Sequence, residues 1–180
     1  GTIVVVEDDV AIPSPTEVAL QGAGEIGEAI NTGFEVRAAA QESAMNGDPT
    51  QVAAGAEQDL VAVQGFFPSV AVIDAGQSVT WSIPEDYIEP HTITWPPIGE
   101  EDQFELVETE DGQPRLLFQT SFVLPSMPSG GDWVTDGQNH SGLLEPGNSY
   151  TLTFPEPGVY RYVCVLHPGM EGTVVVMPAE

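Results

Sequence analysis

Gly158-Val-Tyr-Arg-Tyr-Val-Cys-Val-Leu-His-Pro-Gly-Met-Glu-Gly-Thr-Val-Val-Val176 is the stretch on which the fold turns. Tyr160, Tyr162 and Cys164 alternate with Val159, Arg161 and Val163. Successive side chains of a strand point to opposite faces, so this period of two predicts a half-buried strand. Pro168 and Gly169 then force a tight loop over residues 167–171, and Thr173 to Met177 reads as a final strand. Two strands joined by a short loop therefore carry Cys164, His167 and Met170 at the spacing C-x2-H-x2-M.

Those three residue types belong together chemically. Thiolate and thioether are soft ligands that suit Cu(I), and imidazole also suits Cu(II). Two His and one Cys in a trigonal plane, with a weak axial Met, form an electron-transfer site. One loop supplies three donors, so the fourth must come from a distant segment. His91 fits that place: it follows Glu89-Pro90 and opens a short strand ending at Trp95. Its outer ring nitrogen is expected to face solvent or to donate to a backbone carbonyl. His140, in Gly137-Gln-Asn-His-Ser-Gly142, is the rival. Singly, each residue is weak evidence, because a lone His or Met is usually structural and a strand Cys is usually inert. Jointly they point to one copper ion held by His91, Cys164, His167 and Met170.

Outward from the site, Tyr150, Leu152 and Phe154 alternate with Thr151 and Thr153, and Pro155 to Gly158 is a turn. Val79, Trp81 and Ile83 alternate in the same way after the turn Asp74-Ala75-Gly76. Trp81, Trp95, Tyr160 and Tyr162 read as core before electron relays. Residues 46–57 read as a loop. Residues 16–45 show apolar residues at three- and four-residue steps, predicting one or two helices interrupted at Gly22, Gly24, Gly27 and Gly33, with Thr16 as a cap. Residues 96–139 read as a long, polar and irregular stretch, with Phe104, Leu106, Leu116, Leu117 and Phe118 as its expected anchors. Gly1 to Val6 nearly repeats Gly172 to Met177. That echo is either chance among Val-rich strands or the mark of a tandem or strand-donating unit, assembling through residues 1–6.

The stretch from Gly158 to Val176 resembles the C-terminal signature of the cupredoxins, the plastocyanin and azurin family of blue copper proteins. Its short Cys-to-Met loop is most similar to the amicyanin type. Phe67 to Trp81 followed by His91-Thr-Ile resembles the strands leading to that family's first His ligand. Ser141 to Gly147 and Tyr150 to Phe154 resemble the segment before its Cys strand. The resemblance covers residues 60–95 and 140–177. It implies a mainly β, Greek-key β-sandwich, one type 1 copper, and single-electron transfer between redox partners in an extracytoplasmic setting, whether periplasmic, cell-surface or secreted. The chain then divides into a strand and partly helical N-terminal extension, residues 1–58, and a copper domain, residues 59–180, with the insertion at 96–139. An exported chain would place Gly1 after a cleavage site or inside a longer precursor.

Charge narrows the partners. The 28 acidic residues face three Arg and no Lys, for a net charge of −25. Nucleic acid and anionic membrane surfaces would repel such a chain. The acids either keep the protein soluble, in salt if need be, or steer a basic redox partner; their even spread favours the first. One cysteine excludes an internal disulfide, and no run of 18 apolar residues offers a membrane span. Enzyme chemistry is not expected, since further copper ions need more His than the three present. Copper storage or delivery, and a structural role as one unit of a polymer, are the competing functions.

Overall fold

The computed structural model describes residue 5 and residues 11–99, 103–127 and 130–179. The echo at residues 1–6 therefore lies outside the described residues, Val5 excepted. The first element among the described residues is helix α1 (Pro15–Met45). Strands β1 (Gln51–Gln58), β2 (Val61–Phe67), β3 (Val70–Asp74), β4 (Ser78–Ser82) and β5 (Thr94–Trp95) follow. The stretch expected to be irregular holds β6 (Phe104–Glu108), β7 (Pro114–Phe118), the short helix α2 (Thr120–Val123) and β8 (Gly131–Asp132), and β9 (Asn139–His140) lies at its end. The chain closes with β10 (Ser149–Thr153), β11 (Gly158–Val163) and β12 (Glu171–Met177).

Among the described residues two mixed sheets, in the orders β2-β1-β4-β10-β8 and β3-β12-β11-β5-β9, build the sandwich, and β6 pairs with β7 in a separate two-stranded sheet. This is the mainly β sandwich expected. The alternation read in the sequence explains it: Val79, Trp81, Tyr150, Leu152, Val174 and Val176 all turn into one core between the sheets. Trp81 and Tyr162 meet edge-on at 5.1 Å, and Tyr162 meets Phe66 at 4.7 Å. Such pairs contribute about 0.5–1.5 kcal/mol each beyond the area they bury. Trp81 and Tyr162 are thus core, as read; Trp95 stays partly exposed.

Five local expectations are corrected. Residues 16–45 form one continuous helix, and Ser14 caps it instead of Thr16. The Ser14 hydroxyl accepts the Glu17 N–H at 3.2 Å, and the Glu17 carboxylate accepts the Ser14 N–H at 2.8 Å. That capping box, with Pro15 in the first turn, closes the end. At the other end Val36, Ala40 and Ala44 pack on Val63, Phe67, Ala53 and Ala56. Cap and tertiary packing together offset the glycines.

Residues 51–58 are a strand, not a loop. β1 pairs antiparallel with β2 and parallel with β4. Its sequence, Gln-Val-Ala-Ala-Gly-Ala-Glu-Gln, lacks β-branched weight; tertiary contacts form the strand instead, with Ala53 and Ala56 packed in the cluster that α1 makes with β2.

The insertion's anchors also differ. Leu106, Leu116, Leu117 and Phe118 sit exposed on the β6–β7 hairpin, while Ile98, Phe122 and Trp133 are buried. A two-residue strand and a bridge replace the longer strand expected at His91 to Trp95. His91 exchanges backbone hydrogen bonds with Leu144 at 3.1 and 2.9 Å.

Candidate metal centre

The end of β11 delivers Cys164, and the loop to β12 carries the other two local donors. The Cys164 N–H donates to the Met170 carbonyl at 2.9 Å, and the Met170 N–H donates to the His167 carbonyl at 3.0 Å. These bonds close the loop on itself. Gly169 takes φ of +85°, a left-handed turn that a side chain would strain. Gly172, the second residue of β12, lies directly under the Tyr162 ring, where any Cβ would collide with it. Both ends of this short loop are thereby tied.

His91 arrives from the other segment, its ring wholly buried. Its Nδ1 lies 3.0 Å from Nδ1 of His167 and 3.6 Å from the Cys164 sulfur. The sulfur lies 3.4 Å from His167 Nδ1. The point equidistant from these three atoms is about 1.9 Å from each, close to the roughly 2.0–2.3 Å that nitrogen and sulfur donors keep from a zinc-sized ion. The donor triangle therefore fits a first-row metal. Two imidazoles and one thiolate suit copper in either oxidation state. Met170, 2% exposed, lines a cavity of 220 Å³ together with Cys164, His167, Ile98 and Gln103. Among the described residues His91, Cys164 and His167 are the single metal-competent cluster of His, Cys and acidic groups.

Protonation suits ligation. Burial, then the neighbouring His167, holds the His91 pKa down to about 4, so its ring is neutral near pH 7. Burial also lowers His167, with Glu89 opposing it. Burial pushes the Cys164 thiol up, against hydrogen bonds led by the Thr92 backbone. A metal entering this site would displace that proton, so binding is expected to release it.

Thr92 organises the sulfur's surroundings. Its N–H donates to the Cys164 sulfur at 3.4 Å, and its hydroxyl accepts the Val165 N–H at 3.0 Å. Thr94 donates to the Thr92 hydroxyl at 3.0 Å. His140 stands behind them, fully buried, with Nδ1 2.9 Å from the Thr94 hydroxyl and Nε2 2.7 Å from the Phe122 carbonyl. Both of its nitrogens are engaged, so the rival is not among the clustered donors. It links α2 of the insertion to the segment bearing His91.

Thr92, Tyr87 and Glu89 escaped the sequence reading. Their nearness to His91 in the chain was the only signal. The outer nitrogen of His91 meets neither expectation: Nε2 is buried and has no hydrogen-bond partner among the described residues.

The sequence matches the family described as copper-binding proteins of the plastocyanin/azurin type over residues 50–177. The chain belongs to the cupredoxins. Solved structures similar to this cupredoxin include a purple cupredoxin from Nitrosopumilus maritimus. It is 24% identical, with 71% of this chain and 98% of that one covered and a TM-score of 0.40. An amicyanin variant is 18% identical over 71% of this chain and 80% of that one, with a TM-score of 0.41. A copper-containing nitrite reductase from Thermus scotoductus SA-01 is 19% identical over 72% of this chain and 22% of that one, with a TM-score of 0.39. At these scores the family match alone carries the assignment. The match begins one residue before β1, and β1 belongs to the sandwich.

Proposed function

We propose that this cupredoxin holds one type 1 copper ion at His91, Cys164 and His167, with Met170 as the weak axial ligand, and carries single electrons between redox partners outside the cytoplasm. The observation that supports this reading is the triangle of two Nδ1 atoms and one sulfur, with sides of 3.0, 3.4 and 3.6 Å. Bound there, copper supplies a one-electron couple between Cu(I) and Cu(II). The chain's own part is rigidity: His91 is held by its bridge to Leu144, and Cys164 by the Met170 carbonyl and the Thr92 N–H. His167, its side chain 14% exposed, is the most accessible of the four and the natural exit for an electron. We read the protein as a carrier and not an enzyme, because no third free His remains for a second copper centre. The partner would be a redox protein, and a net charge of −25 would steer it where its face is basic. We take the copper unit with its insertion as one domain and the segment before it as an extension.

The absorption spectrum of the copper-loaded protein tests this. An intense thiolate-to-copper band near ~600 nm is the expected result of the trigonal site. A colourless protein after Cu(II) addition would overturn the reading. A reversible one-electron couple separates a carrier from a storage protein, whose copper would exchange freely.

A further inference from the structure

The two imidazoles of the candidate centre differ at their outer edges. Both bring Nδ1 to the centre, 3.0 Å apart, which leaves Nε2 as the outer nitrogen of each ring. His91 Nε2 is buried with no partner. His167 Nε2 has the Glu89 carboxylate beside it, with Oε2 3.6 Å away, inside ion-pair range and slightly beyond an ordinary hydrogen bond. The same Oε2 accepts a hydrogen bond from the Gln64 side chain at 3.1 Å. Gln64 lies on β2, so the carboxylate is oriented from a second element of the fold. Pro90 and the His91–Leu144 bridge fix the backbone on its other side.

We infer that Glu89 is a positioning residue for His167, set by Gln64, which keeps the imidazole proton on Nε2 and biases the centre toward Cu(II). This rests on the reading of His167 as a copper ligand. A neutral imidazole has one proton for two nitrogens, and a carboxylate beside one of them draws the proton there. Nδ1 is then free to bind metal, and the ring is a better donor. The negative charge also favours the more positive oxidation state by plain Coulomb attraction. Among the described residues this is the single carboxylate within ion-pair distance of a candidate ligand. The Glu89 side chain is 36% exposed, so water screens part of its field. Groups that orient a ligating His typically change metal affinity 10–100-fold, and this exposure sets the expectation at the lower end, about tenfold.

Glu89→Gln tests the inference, because it keeps the shape and removes the charge. In the metal-free protein, 15N NMR of the His167 ring reports the tautomer. The wild type is expected to carry the proton on Nε2, and the variant to show a mixture. In the copper-loaded protein, Cu(II) affinity should fall about tenfold while Cu(I) affinity holds, which raises the reduction potential by about 59 mV. Gln64→Leu, which frees the carboxylate without removing it, should shift both readouts in the same direction by less. With the thiolate band present in wild type and Glu89→Gln alike, an unchanged ratio of Cu(II) to Cu(I) affinity would overturn the inference, as would an unchanged tautomer. Absence of the band from the wild type would instead remove the copper-site reading, while the tautomer still reports whether Glu89 orders His167.

Discussion

Tyr87 packs its ring on His91, with centroids 5.1 Å apart and planes inclined at 31°. The hydroxyl end of the same ring rests on Gly55, in the bulge where β1 shifts register against β2. A strand that reads as loop in the sequence thereby supports a candidate ligand from behind.

Gly55→Ala should break that support. The new Cβ would lie 2.6 Å from the Tyr87 ring, and the backbone there holds φ of +89°. Overpacking and a positive φ each disfavour a side chain, and a loss of about 2–4 kcal/mol is expected from urea unfolding of the metal-free protein. A loss under about 0.5 kcal/mol, the range of neutral surface changes, would mean that Tyr87 is not seated on Gly55.

Thr92→Val keeps the shape and removes the hydroxyl that accepts the Val165 N–H. A buried donor left unpaired costs about 1–3 kcal/mol. The backbone N–H to the sulfur remains, so the thiolate band should persist while the unfolding midpoint drops. Complete loss of the band would show that the hydroxyl itself holds Cys164 in place.

His140 supplies a pH dependence. Burial holds its pKa below the ordinary 6.5, against the pull of the Phe122 carbonyl. Below pH 6.5 the unfolded chain therefore takes up a proton that the folded chain resists, so its share of stability is complete above that pH and lost as pH falls. His91 and His167 are lowered too and act in the same direction. His140→Gln should thus cost about 1–3 kcal/mol at pH 7.5 through altered hydrogen bonds, yet lose less than wild type between pH 7.5 and 5.5. Equal losses by both proteins in urea titrations would show that His140 does not contribute.

Copper itself should stabilise the fold. A ligand that binds the folded state alone adds about 4.1 kcal/mol at a thousand times its Kd. Melting of the metal-free and copper-loaded proteins should differ accordingly, and Cys164→Ser should remove most of the difference. An equal increment in Cys164→Ser would place the metal elsewhere.

Much of the site was legible because it is local. Cys164, His167 and Met170 lie within seven consecutive residues, and the alternation of Tyr160 and Tyr162 sets the face from which Cys164 projects. His91 was legible by type and order. Its arrival 3.0 Å from His167 was not, because that distance depends on a bridge to Leu144 some fifty residues on. β1 was missed because propensity scales reward branched side chains, and here tertiary packing against a helix and two strands forms a strand from small ones. The helix looked interrupted because each glycine weighs against it locally, while the capping box and the packing of its last turns act over the whole element.

The amino-acid sequence by itself determined the family, the β alternation and the residue types of a copper site, since these depend on neighbours a few positions apart. The tertiary structure alone decided which histidine joins the loop. It also decided that His140 is a buried strut, that Tyr87 backs His91, and that Glu89 stands at the edge of His167. Those are contacts between residues far apart in the chain, set by how two sheets and an insertion pack, and no local pattern encodes them.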